Sequence, residues 1–304
     1  IFAVIGNSFT ILPGAEITIE TNPDDINPGF LQDLKSHTPV NRLSIGIQSF
    51  NGEALLWMNR AHTASQAIQA IEMARMTGFD NITADLIYGL PAPFNLSLQR
   101  DLQQLIALQI PHLSCYALTV EAKTVMAYQV RKQLTTPLSD QQANEQYQYI
   151  SDTVRTAGYT HYEISNMAKP GYEAIHNSNY WEGEPYLGIG PSAHSYKPHE
   201  RSWNVSNNSA YIRAIREGLL PAEKEFLTIQ DRYNEYIMTG LRLEKGISLL
   251  SVAALFGEKY REYLLQQLIH IPAERYTLEK DKLCLTDAGR LWCDNISATL
   301  FLTA

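Results

Sequence analysis

From residue 16 to residue 121 the chain alternates short apolar runs with stretches of helical spacing, and each apolar run ends near a turn signal. Four runs predict strands: Glu16–Glu20 (EITIE), Arg42–Phe50 (RLSIGIQSF), Asn81–Leu90 (NITADLIYGL) and His112–Glu121 (HLSCYALTVE). Between them the spacing predicts helices, most clearly over Ala64–Met76, where Ala67, Ile68, Ile71 and Ala74 recur at helical intervals before Gly78 stops the run. A strand–helix repeat of roughly 30 to 40 residues fits right-handed crossovers, which build a parallel sheet or barrel.

Side chains alternate across a strand, so each run splits into two faces. Ile17 and Ile19 oppose Thr18 and Glu20, and Leu43, Ile45 and Ile47 oppose Ser44, Gly46 and Gln48. Asp85 shares a face with Thr83, and in the fourth run Thr119 is assigned to one face with Cys115 and Ala117. A self-filled barrel packs its interior with branched apolar residues, and this interior is too polar for that. The last polar residue of each run, Glu20, Gln48, Asp85 and Thr119, lies toward the carboxyl edge, where parallel α/β folds place their ligands. The plainer alternative has each acid capping a loop or pairing with Arg42 or Arg60.

Further on, Ser139 and Gln142 make a capping-box pair that predicts a helix to about Gly158, and Tyr162–Ser165 predicts another strand before Lys169-Pro170-Gly171. The pattern then turns helical over Ala210–Glu217, Asp231–Leu243 and Leu249–Phe256. Tyr276–Leu278 and Cys284–Thr286 predict a hairpin before helical Ala288–Leu300, an order found in winged-helix folds. These shifts divide the chain into a barrel-like part, 1–171, and a C-terminal part, 172–304.

Composition narrows the function classes. Against 24 basic residues stand 32 acidic ones, a formal charge of −8. Affinity for nucleic acid comes mainly from clustered Lys and Arg, so no nucleic-acid partner is expected. No apolar run reaches the roughly 20 residues that span a bilayer, and no signal segment opens the chain, so the expected location is cytoplasmic with membrane contact transient at most. Cys115, Cys284 and Cys293 are too scattered for a disulfide framework or a cysteine-built metal loop.

Six stretches carry a resemblance: Ala15–Asp25 (AEITIETNPDD), Asn41–Phe50 (NRLSIGIQSF), Asp85–Pro91 (DLIYGLP), Tyr162–Ala168 (YEISNMA), His176–Trp181 (HNSNYW) and Tyr186–Tyr196 (YLGIGPSAHSY). They resemble radical S-adenosylmethionine (SAM) proteins of the HemN/HemW group, the oxygen-independent coproporphyrinogen III oxidases and their relatives. HNSNYW points to the HemW branch, described as heme chaperones. The resemblance implies an α/β fold, a partial (βα)6 TIM-like barrel in which the four strands are the third to sixth and Ile1–Gly14 ends the preceding helix. It implies SAM contacts at Glu20, Gln48, Arg60, Asp85 and, more loosely, Thr119. It also implies a [4Fe–4S] cluster on a CxxxCxxC loop. That loop and a glycine-rich GGGTP-like segment do not occur in this sequence, and the opening IFAVIG reads as mid-element, so the front of the protein is expected to be omitted.

A neutral imidazole ligates heme iron and flat rings cover a macrocycle, which makes His176 the candidate iron ligand and Tyr180 and Trp181 its companions. His194 is a second candidate. The plainer reading has Asn177 and Asn179 tying down loop backbone while the rings fill packing space. Gly188 and Gly190 read as sites of close backbone packing. The leading expectation is a HemW-like chaperone of heme or porphyrin that serves a heme-accepting protein. The rivals are an oxygen-independent coproporphyrinogen III oxidase and a catalytically inactive binding module.

Overall fold

The computed structural model describes residues 1–303. The chain divides into two compact units, Ile1–Ala174 and Ile175–Ala304.

In the first unit the elements run α1 (Phe2–Ser8), β1 (Thr18–Thr21), α2 (Pro28–His37), β2 (Arg42–Gln48), α3 (Gly52–Trp57), α4 (Ala64–Met76), β3 (Ile82–Tyr88), α5 (Leu98–Ala107), β4 (His112–Ala117), α6 (Val125–Arg131), α7 (Asp140–Thr156), β5 (Thr160–Glu163) and β6 (Asn166–Ala168). They build one sheet in the order β1-β2-β3-β4-β6-β5, with β1 to β4 parallel and β6 antiparallel to both β4 and β5. The α/β partial barrel expected from the sequence is present.

The core lies between one face of this sheet and its helices. Leu43, Ile45 and Ile47 of β2, Ile82, Ala84 and Leu86 of β3, and Leu113 and Cys115 of β4 all point into it. Helix α4 presents Ala67, Ala70 and Ala74, small residues that let it lie close to the strands, and buries Ile71 beside them. Each fully buried Leu or Ile contributes about 1.5–3 kcal/mol relative to exposure. The predicted capping pair of Ser139 with Gln142 starts α7, and Thr63 with Gln66 caps α4 in the same way. The opposite face of the sheet carries the polar set, and that asymmetry positions the site.

The second unit runs α8 (Ile175–Glu182), β7 (His194–Lys197), β8 (Glu200–Asn204), α9 (Asn208–Arg216), β9 (Ala222–Phe226), α10 (Ile229–Gly240), β10 (Ile247–Ser248), α11 (Leu249–Phe256), α12 (Glu258–Gln267), β11 (Tyr276–Glu279), β12 (Lys282–Leu285), α13 (Asp287–Arg290) and α14 (Cys293–Leu300). From α10 onward the order is that of a winged helix, with a small sheet β10-β12-β11 and the predicted hairpin as its wing. Tyr233 is fully buried there against Phe256 and Tyr260, and its hydroxyl donates to the Leu300 carbonyl at 3.1 Å. A second antiparallel sheet, β7-β8-β9, has no counterpart among the sequence expectations.

Candidate functional site

On the polar face of the first unit's sheet, strand register stacks the side chains in rows. Glu20 pairs with Ser44, Ser44 with Thr83 and Thr83 with His112; one layer on, Asp85 pairs with Ser114 and Ser114 with Asn166. At the amino end of the strands Arg42 is buried. It lies 3.8 Å from the Glu16 carboxylate and donates to the hydroxyls of Thr18 and Thr83. His112 contacts Thr83 at 3.1 Å and Tyr162 at 2.7 Å. Burial, then the positive field of Arg42, drives its imidazole down to about 3, so it stays neutral. This end is a buried polar network with a structural role, although Arg42 Nε makes no hydrogen bond in it.

The carboxyl end is different. Asp85 hydrogen-bonds Ser44 on β2 and Ser114 on β4, yet burial pushes its carboxyl up from 3.8 to about 6, and the Glu20 charge adds to the rise. The Ser114 hydroxyl also lies 2.9 Å from Asn166 Oδ1, and Asn166 donates to the buried Glu163 at 2.6 Å. One strand over, Gly46 lies under a second group. A Cβ there would lie 2.8 Å from Gln48 Nε2 and 3.0 Å from Arg60 Nη2. Arg60 donates to Asn22 Oδ1 at 2.9 Å and to the Gly46 carbonyl at 3.3 Å. A register shift between Ile45 and Gln48, with Gln48 at φ +64°, ends β2 and turns the glutamine over the glycine. Carboxylates therefore sit beside a guanidinium and two amides, a mixed-charge floor suited to a small zwitterion.

HNSNYW forms most of helix α8; it is not the loop that its asparagines predicted. A helix satisfies its backbone internally, so Asn177 and Asn179 are not required to hold a turn. His176 is exposed and sits four residues from Tyr180, hence on the same face. Tyr180 stacks on Tyr186 at 5.2 Å, Tyr186 on Tyr196 at 6.0 Å, and Trp181 meets Tyr180 edge-on at 5.6 Å. Burial first, then a hydrogen bond with Tyr180, pushes the Tyr186 phenol well up, so Tyr186 is uncharged at neutral pH. Tyr180 and Trp181 line a cavity of about 660 Å³ within the second unit; His176 is not part of its wall. His194 is exposed on β7, its ring 6.4 Å from Trp203.

Comparison with known proteins places these residues in a family. The Radical SAM superfamily matches residues 2–93, and the HemN C-terminal domain matches residues 227–292. The heme chaperone HemW of Bacillus subtilis is 36% identical over 281 residues, covering 91% of this chain and 73% of its own length. That of Lactococcus lactis is 34% identical over 286 residues, 90% of this chain and 72% of the relative. The chain belongs to the HemW family. The Escherichia coli HemW is 31% identical, covering 93% of this chain and 74% of its own. The structure of Escherichia coli HemN, a coproporphyrinogen III oxidase and radical SAM enzyme, superposes with a TM-score of 0.81 over 98% of this chain and 72% of that one; at 23% identity it shows the shared fold.

In this HemW-family chain the radical SAM match contains Glu20, Gln48, Arg60 and Asp85, all of which the sheet brings to one edge. Thr119 is the exception. Strand β4 ends at Ala117, so Thr119 lies exposed beyond it and does not share a strand face with Cys115. Cys115 faces the core, where burial pushes its thiol up to about 12. The polar face of β4 carries His112, Ser114 and Tyr116 instead. Ser114 and Asn22 are the residues that sequence reasoning missed. The apolar Leu113–Cys115 phase of β4 was the available signal for Ser114, since it leaves serine on the other face. Gly188 does meet backbone closely, a Cβ there falling 2.1 Å from the His194 carbonyl, whereas Gly190 has open space and a φ of +111°.

The thiols present do not fit an iron–sulfur cluster. Cys115 and Cys293 are buried, Cys284 donates to the Lys245 carbonyl at 3.4 Å, and no group of three or more metal-binding side chains occurs among the described residues. No helix among them is long and apolar enough to cross a membrane.

Proposed function

We propose that this HemW-family protein is a heme-binding chaperone that holds SAM against the carboxyl edge of its parallel sheet and passes heme to an acceptor protein. The observation that carries the heme half is the 34–36% identity, over nine-tenths of this chain, to proteins named heme chaperones. The SAM half is supported by the mixed-charge floor. Glu20 and Asp85 suit the sulfonium and ammonium charges, while Arg60, steadied by Asn22, suits the carboxylate. Gly46 leaves unfilled the space that a Cβ would take beneath Gln48 and Arg60. When bound, SAM supplies a sulfonium centre open to reductive cleavage. The residues of this chain bind and orient it; no cluster ligand set occurs among the described residues.

His176, an exposed imidazole on α8, is the proposed iron ligand, with Tyr180 beside it on the same face. Titrating hemin into the full chain and following the Soret band tests this. Saturable binding with a band that shifts in His176→Ala is the expected outcome; identical, nonsaturating spectra for both proteins would overturn it. Turnover of coproporphyrinogen would favour the oxidase reading.

A further inference from the structure

Strand register puts Asp85 of β3, Ser114 of β4, Asn166 of β6 and Glu163 of β5 in one row across four neighbouring strands. Ser114, Asn166 and Glu163 are buried, so each finds its hydrogen-bond partners within the protein. The row is anchored at the Glu163 end. One Glu163 oxygen accepts the Ser165 N–H at 2.9 Å and the Asn166 amide nitrogen at 2.6 Å. Turning the Asn166 amide over would set its oxygen against that acceptor, so the nitrogen faces Glu163 and the oxygen faces Ser114, 2.9 Å away.

Ser114 is thereby placed between two acceptors. Its hydroxyl meets both the Asp85 carboxyl and the Asn166 oxygen, yet it has one hydrogen to give. The Tyr116 phenol also hydrogen-bonds Ser114; raised by burial first and then by the Asp85 charge, it stays neutral and has a hydrogen of its own. An ionised Asp85 takes the Ser114 hydrogen and leaves the Asn166 oxygen without that donor. A protonated Asp85 instead donates to Ser114, Ser114 donates to Asn166, and the row is complete from end to end. We infer that Asn166, oriented by Glu163, competes with Asp85 for the Ser114 hydrogen and thereby sets how readily Asp85 takes up the negative charge it offers to bound SAM. Ser114 and Asn166 are positioning residues, acting on the ligand only through Asp85. The inference rests on the SAM reading above for the use of that charge, and on the row alone for the competition. The other charged groups facing Asp85 are Glu20 on β1, which raises its carboxyl, and Arg42 on β2, which lowers it. On β4 the Cys115 thiol, pushed up to about 12 by burial and then by Asp85, is neutral. Substituting Ser114 or Asn166 removes none of these groups.

The test follows the carboxyl carbon signals of isotopically labelled aspartate by NMR across a pH titration of the full chain. The Asp85 signal is the one lost in Asp85→Asn, and Glu20 and Glu163 are silent in that label. The two neighbours move it in opposite directions. Asn166→Leu frees the Ser114 hydrogen and lowers the Asp85 midpoint by about one pH unit, whereas Ser114→Ala removes the hydrogen and raises the midpoint by about as much. Added to Ser114→Ala, Asn166→Leu changes nothing further. Calorimetry at pH 5 then finds SAM bound about five-fold more tightly by Asn166→Leu than by the parent, the two converging at pH 7. Should Asn166→Leu not fold, Asn166→Ala removes the same acceptor and carries the same expectation. Midpoints that move in one direction in both variants, a parent-like midpoint without Asn166, or an undiminished Asn166 effect in the absence of Ser114 overturns the proposal. If the midpoints split as described but SAM gives no binding heat with any of the proteins, the SAM reading fails and the competition stands. If SAM binding depends on Asp85 while the midpoints do not split, the competition fails and the SAM reading stands.

Discussion

At neutral pH the Asp85 carboxylate ionises against burial and against the Glu20 charge, offset by hydrogen bonds from Ser44 and Ser114 and by the field of Arg42. Because its folded pKa is raised from 3.8 to about 6, its contribution to stability is complete below 3.8 and is lost as pH rises through about 6. Asp85→Asn removes that loss. Relative to the parent, the variant gains stability as pH rises from about 4 to 6 and then holds level, by up to about 3 kcal/mol, checked by urea denaturation at several pH values. A variant uniformly less stable across that range would show that the carboxylate is not strained. His112 works in the opposite sense, its depressed pKa favouring the fold as pH rises, which is why the difference between the two proteins is the informative quantity. Asp85 and Gln48 were legible in the sequence because each is a polar residue toward the carboxyl end of an apolar run, whereas Arg60 was reached only through the family resemblance. Ser114 was not legible, since HLSCYA is buried on both faces for four residues and the wrong phase was followed.

Elements were legible where a buried face imposes a period. Helix α4 has the bounds that its spacing predicts, and α11 does too, because each packs an unbroken apolar stripe. The sheet β7-β8-β9 was not legible: AEKEF of β9 is exposed at four of five positions, so no core writes an alternation into it. What holds that region together is backbone. Gly188 lies so close to the β7 chain that an added Cβ would fall 2.1 Å from the His194 carbonyl and 2.8 Å from its nitrogen. Gly188→Ala therefore destabilises the unit by about 2–4 kcal/mol, read from its unfolding midpoint, by the overpacking mechanism. Gly46→Ala meets only the tips of Gln48 and Arg60, which can swing aside. It leaves the midpoint within about 1 kcal/mol and weakens SAM binding, a split that separates a ligand floor from a packing site.

On the scale of the whole molecule, six stretches between Ala15 and Tyr196, HNSNYW among them, were enough to point to the HemW family, and relatives at 34–36% identity bear it out. The aromatic cavity was beyond reach, since it joins Tyr180 to residues as distant in sequence as Asp294 and only packing brings them together. The central claim is that Asp85 and its neighbours at the strand ends grip a cationic zwitterion. Calorimetric titration of SAM into the parent and Asp85→Asn, at pH 5 and pH 7, tests it most directly. Ionised Asp85 attracts the sulfonium, so the parent binds about ten-fold more tightly at pH 7 than at pH 5, and the variant binds weakly with little change between them. No binding heat in the parent, or equal affinities for both proteins at both pH values, would contradict it.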